Sequence, residues 1–243
     1  MEGIIKTSLL GLFFGTFGTT IGGIIGVNVK DSSNKMLSSI LSFAAGLMLA
    51  IVSFELVPEA TEKSGMLFTI VGILLGIITM VFCDIKAKNK LENRNISNSM
   101  LKTGIIICIG LAIHNIPEGL AIGTGFESSM RFGYSLAIAI AIHDIPEGIS
   151  MAIPMKSGGI KKSKIILLVI LSGVTTGIGA FFGAIIGSIS ENIMSICLAF
   201  AAGAMLYIVS GELTPEYNSL YSGKITSVAN ILGFILGYIA IQV

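Results

Sequence analysis

The sequence predicts an all-α polytopic membrane protein. It would have eight transmembrane helices in a 3+2+3 arrangement, with spans 1–3 recurring inverted as spans 6–8 around central spans 4 and 5. Three observations carry this reading. Only 12% of the 243 residues are charged, against about 25% in a soluble domain, so a soluble globule could not coat its own surface. The apolar runs last about 20 residues, as a bilayer-spanning helix requires, rather than alternating over about ten as in a barrel strand. The chain also resembles itself at a fixed offset.

Eight apolar segments can be marked at about 4–27, 36–57, 66–85, 102–124, 133–155, 165–188, 193–213 and 224–242. The first is apolar from Gly3 to Val29 except for Lys6. That is too long for a signal peptide, so it is read as a span. Spans 3 and 4 are separated by a polar stretch at 86–100, read as a cytoplasmic loop. Residues 1–243 therefore form one transmembrane domain, and its function lies inside the membrane. Of the 15 Lys and Arg residues, twelve fall on one side of this topology and three (Lys6, Lys63 and Arg131) on the other. The positive-inside rule then places both termini outside the cytoplasm, in a plasma-membrane protein.

Disorder is excluded by the apolar content, and a net charge of +1 is no nucleic-acid footprint. Cys83, Cys108 and Cys197 have no paired spacing and read as small packing residues.

Residues 42–60 read SFAAGLMLAIVSFELVPEA and residues 199–217 read AFAAGAMLYIVSGELTPEY, an offset of 157. More weakly, GTTIGGIIG at 18–26 matches GAFFGAIIG at 179–187, an offset of 161. An odd number of crossings separates the copies, so they run in opposite directions, as in alternating-access transporters. Glycines four apart (Gly18, Gly22 and Gly26; Gly179, Gly183 and Gly187) let helix backbones approach closely in lipid.

Spans 4 and 5 carry AIHNIPEG at 112–119 and AIHDIPEG at 141–148, which hold both histidines of the chain. His114 lies roughly 18 Å along its span, near the bilayer midplane, and His143 at a similar depth. A spacing of four puts His114 with Glu118, and His143 with Glu147, on one helix face. Asn115 and Asp144 follow about 100° round. Pro117 and Pro146 each remove a backbone donor and bend the helix, which is tolerated in lipid where the helix lines a cavity.

Glu118, Asp144 and Glu147 would each cost about 2.5–3.5 kcal/mol at mid-bilayer, with no Lys or Arg at that depth on these spans. A divalent cation is the natural counter-ion. Imidazole with carboxylate suits Zn²⁺, Fe²⁺ or Mn²⁺ better than Mg²⁺ or Ca²⁺. A lone histidine pairing two helices would be the plainer alternative, but the motif occurs twice.

The paired HNIPEG and HDIPEG, eight spans, outward termini and a polar loop after span 3 resemble the ZIP (Zrt/Irt-like protein) metal transporters, prokaryotic type, over essentially the whole chain. The resemblance implies uptake of divalent metal into the cytoplasm, with Zn²⁺ first and Fe²⁺, Mn²⁺ or Cd²⁺ as further cargo, and no catalytic cofactor. It implies ligands His114, Asn115 and Glu118 from span 4 and His143, Asp144 and Glu147 from span 5, with the two glutamates able to bridge two ions. Met48 resembles a thioether neighbour of the site in some members; plain packing is the alternative. The partners implied are the lipid bilayer and metal ions. A homodimer is left open, and nucleic acid is not expected.

One departure matters. Family members commonly carry an acid in span 6, where LSGVTTGIGA (171–180) places Thr176. A second ion is therefore expected to bind weakly or not at all. Glu55 and Glu59 on span 2, with their repeat mates Glu212 and Glu216 on span 7, would attract cations at the two mouths of one pathway; a solvated helix-end role is the alternative for Glu59 and Glu216. No Walker-type phosphate loop is present, so a secondary transporter is expected. The alternatives are an intramembrane metalloenzyme, disfavoured because HxxxE is not the HExxH of a zincin, and a metal-sensing receptor.

Overall fold

The computed structural model describes residues 2–30, 32–92 and 99–241, with side chains described outside 87–92 and 99–107. The fold is all-helical among the described residues. Helix α1 spans Glu2–Asn28, α2 Asn34–Ile51, α3 Val57–Glu92, α4 Ser99–Ser128, α5 Met130–Ser157, α6 Lys162–Gly187, α7 Glu191–Tyr207, α8 Thr214–Leu220 and α9 Lys224–Ala240.

Local chemistry sets the helix ends. The hydroxyls of Ser33, Ser129 and Ser190 accept from the backbone N–H of Met36 (3.1 Å), Phe132 (3.1 Å) and Ile193 (3.3 Å), capping α2, α5 and α7. Ser129 alone separates α4 from α5. Helix α5 stops where Gly159 turns to φ 85° and the Ile160 N–H bonds back to Met155 O, a left-handed glycine terminus.

Two short π-helical turns interrupt the long rods, Val52–Leu56 between α2 and α3 and Ile208–Leu213 between α7 and α8. Both fall on the IVSxEL stretch of the repeat, so the same sequence makes the same irregularity twice. Such turns are frequent at functional sites. Spans 2 and 3 of the sequence reading are separate helical segments that meet inside α3 at Gly65, whose non-helical backbone, with φ 81°, a side chain would strain.

The loop expected at 86–100 is helical at both ends, since α3 runs on to Glu92 and α4 already begins at Ser99. The segment AKNKLE is rich in helix formers, which lets α3 continue past its apolar part. Residues 93–98 lie outside the described residues.

Among the described residues five helical runs are long and apolar enough to cross a membrane: Glu2–Asn28, Asn34–Lys86, Met130–Ser157, Lys162–Gly187 and Glu191–Leu220. Lys224–Ala240 is apolar but shorter. Large apolar side chains such as Leu9, Phe13, Leu74, Leu171 and Ile231 face outward, as lipid contact requires, so the chain is a multi-pass membrane protein.

Helices α1, α4, α5 and α6 pack on one another as a four-helix group, while α2 pairs with α9 and α3 with α7. The sets meet where α2 lies on α5 and α7 on α4. Met48, Ile51, Ile122, Ile140 and Met205 belong to the apolar core.

The close backbone approaches come in matched pairs. Gly46 backs onto Asn230 O and Gly203 onto Ile73 O; Gly233 backs onto Phe43 O and Gly76 onto Phe200 O. In each pair, adding 157 turns one member of the contact into its counterpart. Hydroxyls obey the same rule, Ser38 Oγ donating to Tyr217 O (2.7 Å) and Ser195 Oγ to Ala60 O (2.6 Å).

The first spans follow 157 as well, not the 161 read from their glycines. Gly22 meets Ile145 O where Gly179 meets Ile116 O, and Gly148 meets Thr19 O where Gly119 meets Thr176 O. A four-residue glycine period aligns equally well one turn away, which is why sequence matching slipped there.

Candidate metal centre

Helices α4 and α5, each with proline in its interior, bring four buried groups together. Glu118 from α4 and His143, Asp144 and Glu147 from α5 each offer a ligand atom, all within 4.8 Å of one another. His143 Nε2 lies 3.0 Å from Glu118 Oε1, 3.5 Å from Asp144 Oδ1 and 4.0 Å from Glu147 Oε1, with all four side chains fully excluded from solvent. Among the described residues no Lys or Arg nitrogen lies within 4.0 Å of these carboxylates.

Small residues make room for this cluster. Gly18 of α1 sits against Asp144, whose Cβ would lie 2.7 Å from a Cβ placed there. Gly119, next to Glu118, abuts the backbone of Thr176 on α6. Side chains at either glycine would push α1 or α6 away from the acidic residues.

Buried polar atoms normally find partners; here those that do not are concentrated in one place. Eleven buried side-chain atoms lack a hydrogen bond among the described residues, and all but Ser64 Oγ belong to His114, Asn115, Glu118, His143, Asp144, Glu147 and Thr176. Both oxygens of Asp144 and of Glu147 are among them. Acceptor oxygens turned toward one another in a dry interior are arranged for a cation.

The remaining residues singled out by sequence are less uniform. His114 is buried, with both ring nitrogens unpartnered, but lies outside the four-residue cluster. Asn115 is tied to α6, its Nδ2 donating to Ser172 O at 2.9 Å and to Ser172 Oγ at 3.4 Å. Its Oδ1 is left without a partner. Thr176 is fully buried with an unpartnered Oγ1, facing Gly15, where a Cβ would lie 2.5 Å from that hydroxyl. Met48 is fully buried in the apolar core.

The carboxylates assigned to the mouths sit in or beside the π-helical turns. Glu55 Oε1 accepts from Ser135 Oγ at 2.5 Å. Glu59 accepts from Ser128 Oγ and pairs with Lys63 at 3.5 Å. Both serines belong to α4 and α5, so these acids tie the first repeat to the central pair. Glu212 and Glu216 are half-buried.

Sequence reading missed Ser128, Ser135 and Ser172, which carry no signal beyond being polar residues in apolar helices. It also missed the Tyr207 hydroxyl, 3.0 Å from Asp84 Oδ2. All three cysteines are unpaired.

Residues 85–243 match the family model described as ZIP zinc transporter. The chain belongs to the ZIP family. Over 233 residues it is 31% identical to zinc transporter ZupT of Corynebacterium glutamicum, covering 87% of this chain and 88% of that one. Over 221 residues it is 34% identical to ZupT of Chlorobaculum parvum, covering 81% and 82%. Zinc transporter ZIP11 of Xenopus tropicalis is 36% identical over 168 residues, 66% of this chain but 50% of that protein. The ZIP chain described here thus spans about half the length of that longer relative. The cluster of Glu118, His143, Asp144 and Glu147 lies within the part of this chain that the family model covers.

Proposed function

We propose that this ZIP protein is a secondary transporter that carries divalent transition-metal cations, Zn²⁺ foremost with Fe²⁺, Mn²⁺ and Cd²⁺ as further cargo, into the cytoplasm. The observation that carries the proposal is the dry convergence of Glu118, His143, Asp144 and Glu147 with carboxylate oxygens that lack partners. Imidazole and carboxylate together suit a borderline first-row metal. The names of the relatives are those of transporters, and the metalloenzyme and receptor readings are not favoured.

In this reading residues 1–243 form one eight-span domain in a 3+2+3 arrangement with outward termini in the plasma membrane. The matched 157-residue contacts support an inverted repeat, and alternating access would move α1, α4, α5 and α6 against the paired helices. The cargo is held by the clustered four, with His114, Asn115 and Met48 joining from neighbouring positions. Glu55 and Glu59 would serve one mouth and Glu212 and Glu216 the other. One chain supplies the whole cluster, so no second copy is needed.

Purified protein in dye-loaded proteoliposomes tests this. Saturable uptake of Zn²⁺ that is lost in Glu147→Ala is expected. Absence of uptake by folded, inserted protein that still binds metal would refute transport.

A further inference from the structure

A groove of about 620 Å³ opens between α2, α5 and α9. Met36, Ile40 and Phe43 form one wall, Pro146 and Ile149 the floor, and Ile225, Ala229 and Leu232 the other wall. From Lys35 to Phe43 it runs about 12 Å along α2, most of the roughly 15 Å depth of one leaflet. Its apolar part has the length and lining for one acyl chain.

The end of the groove is different in kind. Ser33, Lys35 and Ser39 line it there, and among the described residues no Asp or Glu contributes to the lining. The Lys35 ammonium lies 5.8 Å from the centre of the Tyr221 ring, which holds it at the groove's end. Across the groove α9 begins at Lys224 with Gly223 as an N-cap that has no side chain to offer. The positive end of that helix dipole is therefore uncapped beside Ile225. Among the described residues neither lysine has a carboxylate within 4.0 Å. The Lys35 ammonium, facing a bare helix N-terminus that begins at a second lysine, lies at one end of an apolar trough and complements an anionic phosphate carrying a hydrocarbon tail.

We infer that this groove is a binding site for an anionic phospholipid, with one acyl chain between α2 and α9 and the phosphate at Lys35 and the start of α9. The chain would rest on Pro146 and Ile149, one residue before and two residues after Glu147 in α5. The lipid thus wedges between the four-helix group and the α2–α9 pair.

The protein contains no tryptophan, so Phe43→Trp makes a sole emitter inside the groove. The full chain carrying it is reconstituted in vesicles with brominated phosphatidylglycerol or brominated phosphatidylcholine. Half-quenching is expected at a lower mole fraction of the anionic lipid, with the advantage falling about fivefold for each of Lys35→Gln and Lys224→Gln. Lys35→Arg should keep it, and Ala229→Phe, which fills the trough, should abolish quenching by both lipids. Native mass spectrometry of the unsubstituted chain should retain phosphatidylglycerol in preference to phosphatidylcholine. Coincident quenching curves, or an anionic preference that survives the paired Lys→Gln substitutions, would overturn the inference and leave only ordinary annular lipid.

Discussion

Helix α4 offers the same substitution at two sites with opposite expected signs. A Cβ on Gly119 would lie 2.7 Å from Thr176 C and 2.8 Å from Ala180 N, and nearer still to Thr176 O. These are backbone atoms and cannot swing away, so α4 and α6 must separate by several tenths of an ångström or more. Overpacking of this kind costs about 1–3 kcal/mol. Gly110 on the same helix has nothing within 4 Å of a Cβ. There alanine gains up to about 1 kcal/mol of helix propensity. Thermal unfolding in detergent reads both. At roughly 2–4 °C per kcal/mol for a chain of this size, Gly119→Ala should lower the midpoint by several degrees and Gly110→Ala should leave or raise it. Equal shifts in the two variants would refute the claim that α4 and α6 meet through bare backbone beside Glu118.

Other consequences are as direct. Thr176→Glu adds a fourth carboxylate, on α6, at the residue whose backbone abuts Gly119 next to Glu118, and should raise the number of Zn²⁺ ions bound per chain at saturation, counted by elemental analysis; an unchanged count would remove Thr176 from the site. Ser195→Ala deletes one buried hydrogen bond, to Ala60 O, and should cost about 1 kcal/mol, whereas Ser38→Ala removes a hydroxyl shared among Tyr217 O, Tyr221 O and Thr226 Oγ1 and should cost at least as much. Their effects on the unfolding midpoint should be additive, since distant sites rarely couple.

Much of the centre was legible because it is chemically conspicuous. Two histidines, each four residues before a glutamate in an apolar helix, have few other reasons to be there. What sequence did not reveal depends on contacts between helices. Asn115 and Asp144 occupy matching motif positions, yet Asn115 is drawn to Ser172 while Asp144 stays in the cluster, because an amide can donate to a carbonyl and a carboxylate cannot. His114 and His143 look equivalent in sequence, but only His143 reaches the cluster, through Glu118 of the opposite helix. The repeat was plain where FAAG and ELxPE anchor it and ambiguous in the glycine stripes, where one turn of slip keeps every small residue matched. The π-helical turns were invisible as such, since a shift in hydrogen-bond register leaves no mark on apolar periodicity.

If three buried carboxylates and a histidine form a cation site, thermal unfolding of the isosteric variant Glu147→Gln with and without Zn²⁺ will show it. Removing one of several like charges that lie together unpaired relieves repulsion, whereas a bound ion stabilises only a site that can hold it. The account predicts that Glu147→Gln unfolds at or above the midpoint of the unsubstituted protein without metal, and loses most of the upward shift that Zn²⁺ produces. A variant that unfolds earlier without metal yet keeps the full Zn²⁺ shift would contradict it.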